Sequence, residues 1–179
     1  MSRILLAAGA SAALHKACDL ASKLAQADHR VRVVLTARAA RLVSPQLFEA
    51  LTGEPAYQDE FGPGRRGSMD HIELARWAEL FLVAPCTADL AARLALGLAG
   101  ELVTSVALAL PPGVPRLVCP AMNPRMLEAP PTARNLGRLA EDGWRVLEPR
   151  EGHLACGDAG RGRLSEPADI LAAVAELLG

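Results

Sequence analysis

The sequence predicts an α/β fold: a single Rossmann-like (flavodoxin-like) domain over residues 1–179, a doubly wound parallel sheet with helices on both faces. Three observations predict it. Short, continuously apolar runs such as RILLAA at 3–8 and ELFLVA at 79–84 read as strands buried on both faces. Alanine- and leucine-rich stretches of helical length alternate with those runs. The chain is 51% apolar with a formal net charge of -1, enough to bury a full core and too balanced to form a field of one sign.

The elements follow in order. Residues 3–8 form the first strand, and a helix over 11–27 follows with Ser11 as its N-cap. VRVVLT at 31–36 is the second strand, with helical stretches over 37–43 and 45–51 behind it. Residues 53–69, rich in Gly, Pro and charge, read as a long surface loop. A third strand over 79–84 precedes a helix over 87–96, with Thr87 as its natural N-cap, and a further helix over 102–110. The fourth strand is 116–119, then a helix over 132–142, a fifth strand over 144–147, a glycine-rich loop over 152–162 and a closing amphipathic helix over 166–178.

Composition excludes several classes. The charge balance speaks against a nucleic-acid binder. Cys18, Cys86, Cys119 and Cys156 lie far apart with no CxxC pair, which predicts reduced thiols in a cytoplasmic protein and no metal site. The apolar stretch at 81–110 is broken by Asp89, Arg93 and Glu101, so no membrane anchor is expected.

In a doubly wound sheet ligands bind beyond the carboxyl ends of the strands, so the strand ends carry the chemistry. Strand one ends in Gly9-Ala10-Ser11, a turn that suits a phosphate although it is not GxGxxG. Strand two ends in Thr36, and strand three in Ala84-Pro85-Cys86-Thr87-Ala88-Asp89, a second turn of small residues. After strand four, Pro120-Ala121-Met122-Asn123-Pro124 forms a rigid loop that carries an amide. Cys156, flanked by glycine and near Arg161 and Arg163, is poorly placed for a core and well placed for acid or nucleophilic chemistry. His71 and Arg76 stand just before strand three.

Four segments, HIELARWAE at 71–79, VAPCTADLAARLALG at 83–97, PAMNPRM at 120–126 and LACGDAGRGRLSEP at 154–167, together resemble the homo-oligomeric flavin-containing cysteine decarboxylases. The resemblance implies a bound FMN held by Gly9, Ser11, Thr36, Thr87, Ala88, Asp89 and Ala121. It implies His71 as the catalytic base, Asn123 and Met122 at the substrate, Arg76 for the substrate carboxylate and Cys156 as a late proton donor. It also implies a homo-oligomer, a trimer or a multiple of trimers, in which a neighbouring subunit completes the flavin site. In this chemistry the flavin takes hydride from the carbon bearing sulfur, so the electrons left by CO2 have a C=S group to enter. Two substrate classes are open, phosphopantothenoylcysteine and the C-terminal cysteine of a precursor peptide; a flavin-binding module without turnover is the reading from another class. The chain departs from the family pattern at Cys86, Asp89 and Leu127.

Overall fold

The computed structural model describes residues 1–60, 69–153 and 157–179. Six strands, β1 (Arg3–Ala8), β2 (Arg30–Leu35), β3 (Ala56–Tyr57), β4 (Leu80–Cys86), β5 (Arg116–Pro120) and β6 (Arg145–Val146), form one parallel sheet in the order β3-β2-β1-β4-β5-β6. The five strands expected from sequence take the flavodoxin-like order among themselves. The two-residue β3, which lies inside the segment expected as a loop, pairs at the edge beside β2 and extends this to the Rossmann order. β1 pairs with β4 rather than β3, so the chain direction across the sheet reverses between them.

The central strands are buried on both faces because, past the arginines that open β1, β2 and β5 and past Arg32 in β2, they carry apolar residues at successive positions, sorted by the two-residue period. Ile4, Leu6 and Ala8 join Leu82, Ala84, Leu117 and Cys119 in a core under α1 (Leu14–Gln26), α2 (Pro45–Thr52) and α8 (Pro167–Leu178). Leu5, Ala7, Phe81, Val83, Cys86 and Val118 face the opposite core. There they meet α3 (Asp70–Trp77), α4 (Ala88–Leu96), α5 (Leu102–Ala109) and α7 (Pro130–Glu141). Phe81 meets Trp144 edge to face, with ring centroids 5.9 Å apart. Alternation also puts Cys86 and Cys119 on opposite faces; burial pushes both thiols well above the ordinary range.

Two expectations are corrected, the start of α1 and the glycine-rich loop. α1 begins at Leu14 with Ala13 in the capping position, not at Ser11. The Ser11 hydroxyl accepts the N–H of Ala13 at 3.2 Å and closes a turn before the helix. Residues 70–77 are helical, and the buried Leu74 and Ala75 dock α3 on the sheet. The glycine-rich segment is not simply a loop: β7 (Arg150–His153) and β8 (Ala159–Arg163) form an antiparallel hairpin, in which Gly152 faces Gly160. Cys18, in α1, is half-buried and packs against the first core. Among the described residues no helix is long and apolar enough to cross a membrane.

Candidate functional site

The carboxyl ends of β1, β2, β4 and β5 open into one cavity of about 990 Å³, at the upper end of the usual range for ligand pockets. It lies where the direction of strand order reverses, the position the fold favours for a ligand. Its floor is made of small residues, among them Ala10, Ala12, Ala37, Ala88 and Ala121, which leave room for a broad, flat group.

Three expected hydroxyls reach this space, and each is set by local backbone. Ser11 accepts from Ala13 N–H, Thr36 from Ala39 N–H at 3.1 Å, and Thr87, the N-cap of α4, from Leu90 N–H at 3.3 Å. Each oxygen thus accepts one backbone N–H that holds it in place, and its hydroxyl proton remains able to donate to a ligand. Gly9 has a different part. Its own N–H donates to Pro85 O at 2.9 Å, and a Cβ there would stand 3.0 Å from the same oxygen. It therefore lets the ends of β1 and β4 approach, which brings the two small-residue turns together.

Asn123 is fixed from both ends. It caps the short α6 (Pro124–Glu128), its Oδ1 accepting Arg125 N–H at 2.9 Å, while its Nδ2 donates to Asp158 Oδ2 at 2.6 Å. Ala121 and Met122 line the same wall, and the Met122 N–H donates to Gly162 O at 3.0 Å. The hairpin β7–β8 is thereby seated on the Asn123 loop.

Of the charged walls, the reading of strand ends found Asp89 and Arg163 but missed Lys16, Arg38 and Arg93. Lys16 and Arg163 both reach Glu166 Oε1 at 2.8 Å, so two cations share one carboxylate. The Lys16 ammonium, seconded by Arg163, holds that carboxyl below its ordinary value. Across the cavity Asp89 pairs with Arg93 one helical turn on, at 2.9 Å. Beside them, burial pushes Glu101 above its ordinary value against the pull of Arg93. Arg38 also lines the cavity. Lys16 and Arg93 lie one helical turn beyond Ala12 and Asp89 respectively, a spacing that a search for i, i+4 neighbours of the turns finds.

Two further expected residues, His71 and Arg76, are not among those lining this cavity. His71 and Arg76 lie on α3, where the His71 ring meets the Glu60 carboxylate through Nδ1 and Arg76 is exposed. Cys156 lies outside the described residues. Among the described residues no group of three or more His, Cys, Asp or Glu side chains gathers as metal ligands would.

A protein-family model described as Flavoprotein matches residues 1–179. The chain belongs to the flavoprotein family. This flavoprotein is 42% identical over 168 residues to the coenzyme A biosynthesis bifunctional protein CoaBC of Bacillus subtilis, covering 94% of the chain but 41% of that relative. It thus spans about two fifths of the length of the bifunctional relatives it matches. It is 39% identical over 176 residues to a Streptococcus mutans protein named probable phosphopantothenoylcysteine decarboxylase, covering 98% of each. Among solved structures it is similar to a PPC decarboxylase mutant complexed with pantothenoylaminoethenethiol, with TM-score 0.86, 31% identity and coverage of 98% and 97%. It is also similar to the FMN-dependent cysteine decarboxylase SpaF, with TM-score 0.84, 28% identity and coverage of 100% and 98%.

Proposed function

We propose that this flavoprotein is an FMN-dependent decarboxylase of the cysteinyl carboxylate of 4'-phosphopantothenoylcysteine, yielding 4'-phosphopantetheine. One observation carries the choice: a single cavity joins the Asn123 loop to walls bearing Lys16, Arg38, Arg93 and Arg163. Apart from the substrate carboxylate, the cofactor phosphate and the substrate phosphate are two separate anions, and these cations, partly offset by Asp89 and Glu166, line the space that would receive them. A peptide ending in cysteine brings only a carboxylate at its reacting end, and needs fewer cations. The similarity to the Streptococcus mutans protein and to the PPC decarboxylase structure supports the same reading.

The small-residue floor and the hydroxyls of Ser11, Thr36 and Thr87 suit FMN, with Ala88, Asp89 and Ala121 beside them. When bound, FMN supplies the hydride acceptor that turns the carbon bearing sulfur into a C=S group able to receive the electrons left by CO2. Asn123, a neutral amide, orients the substrate without adding charge next to a departing carboxylate. Cys156 donates the proton that completes the saturated product, because a thiol is a far stronger acid than a hydroxyl. His71 assists thiol deprotonation near neutral pH, and Arg76 takes the substrate carboxylate. Since α3 does not line the cavity of its own chain, His71 and Arg76 are supplied by a neighbouring copy in a trimer or a multiple of trimers.

The test is product analysis on FMN-loaded protein given phosphopantothenoylcysteine or a peptide ending in cysteine. Phosphopantothenoylcysteine is expected to lose CO2 alone and leave the flavin oxidised. Turnover of the peptide only, with a product two hydrogens lighter than simple loss of CO2 gives, would overturn the substrate. A colourless protein that takes up no FMN would overturn the whole reading.

A further inference from the structure

The reading above gives Asn123 the polar end of the substrate, and the structure shows what aims Asn123. The two ends of a primary amide have nearly the same shape and opposite polarity, so orientation depends on partners that tell them apart. Two partners of Asn123 among the described residues do so. Arg125 N–H can only donate, and it faces Oδ1; the Asp158 carboxylate accepts, and it faces Nδ2. Arg125 lies two residues on, in α6, whereas Asp158 stands 35 residues away, just before β8.

That long-range partner is held in register. The Met122 N–H to Gly162 O bond fixes β8 against the Asn123 loop. Gly162 has φ +141°, and a Cβ on it would lie 2.1 Å from Met122 O, so only a glycine lets the two backbones meet. On the same side of β8, a Cβ on Gly160 would meet the Pro124 ring at 3.1 Å. The hairpin thus lies directly on the loop, and Asp158 reaches the amide at 2.6 Å.

We infer that Asp158 is a positioning residue of the decarboxylation site: its carboxylate orients the Asn123 amide toward the substrate. This rests on the role proposed for Asn123. It also accounts for an amide rather than a carboxylate at position 123, since two carboxylates facing one another at this distance would repel.

The experiment is a double-mutant cycle on FMN-loaded protein with Asp158→Ala, Asp158→Asn, Asn123→Ala and the Asp158→Ala/Asn123→Ala pair. Asp158→Ala is expected to lower kcat/KM by roughly 10- to 100-fold, the range expected for losing a hydrogen bond to a charged group. Asp158→Asn keeps an acceptor oxygen in place and is expected to recover most of that loss. In the Asn123→Ala background Asp158→Ala is expected to cost nothing further, because a residue acting through Asn123 has no other route. The flavin spectrum should match wild type throughout. An unaltered kcat/KM in Asp158→Ala, or an equal loss with and without Asn123, overturns the inference while leaving the proposed function standing. A wild-type protein inactive on both substrates overturns the function. The same cycle read by urea unfolding then tests the pair, and strictly additive losses overturn the inference there too.

Discussion

Asn123 and Gly162 show how much of the site is set by single backbone contacts. Asn-Pro in isolation is an ordinary turn signal, and the capping of Arg125 N–H by its side-chain carbonyl is local chemistry that such a turn commonly performs. What makes the position specific is Gly162, which brings β8 onto the loop at a distance that no side chain survives. Gly162→Ala is therefore expected to lift the hairpin from the Asn123 loop, with a stability loss of about 1–3 kcal/mol, the usual cost of overpacking, measured by urea unfolding. Turnover should fall much more than stability, because the displaced strand carries Asp158 away from Asn123. Unchanged turnover would show that the hairpin contact has no part in the reaction. Gly9, by contrast, works between β1 and β4, below the ligand space.

Two carboxyls, Glu54 at the sheet edge and Glu101 in the cavity wall, make stability depend on pH with opposite signs. At the edge of the sheet Glu54 receives Arg30 Nε at 2.6 Å and Arg32 Nε at 3.2 Å, and the Arg32 guanidinium lies 4.4 Å from the centre of the Trp77 ring. Burial opposes ionisation of Glu54, but the two arginines prevail and hold it below the ordinary 4.5. A lowered carboxyl stabilises the fold above its ordinary value, and that contribution is lost as pH falls through the lowered one. Glu101, at the N-terminus of α5, has the opposite sign. Burial raises it against Arg93, the Ala37 N–H and Arg38, with Asp89 adding to the rise, so its favourable contribution belongs to low pH and is lost as pH rises through the raised value. Glu54→Gln is thus expected to flatten the acid side of the stability profile. Glu101→Gln should be neutral or stabilising at pH 7 and bring no gain at pH 4. Thermal unfolding across pH measures both, and a profile unchanged in either variant would remove that carboxyl from the account.

Considered as one body, the chain leaves its surface unfinished around the cavity. Leu96, Leu98 and Leu108 are 54%, 50% and 60% exposed, and they gather beside a second hollow that shares Arg93 with the cavity wall. With His71 and Arg76 off the cavity of their own chain, this supports the proposed oligomer, in which an apolar surface is covered by a neighbour. Leu98→Glu and Leu108→Glu are expected to reduce the assembly toward monomer by light scattering and to weaken FMN retention. An unchanged mass would place the subunit contact elsewhere.

Much of this architecture was legible before folding. Two-sided strands announce themselves as unbroken apolar runs, so β1, β2, β4 and β5 and the layers of helices around them follow from local pattern. The residues after each strand could be named for the same reason, since a parallel sheet delivers its strand ends to one side. Ser11, Thr36, Thr87, Ala88, Asp89, Ala121, Met122 and Asn123 do meet there. The rest depends on contacts between distant segments, which leave no periodic trace. β3 exists because β2 offers an edge, and the hairpin shows no alternating apolar face because it leans on the Asn123 loop through glycines. Lys16 and Arg163 are ordinary surface cations in sequence; the fold makes them share Glu166 at a cavity wall. Asp158 reaches Asn123 only because a backbone without a side chain at 162 lets two loops touch.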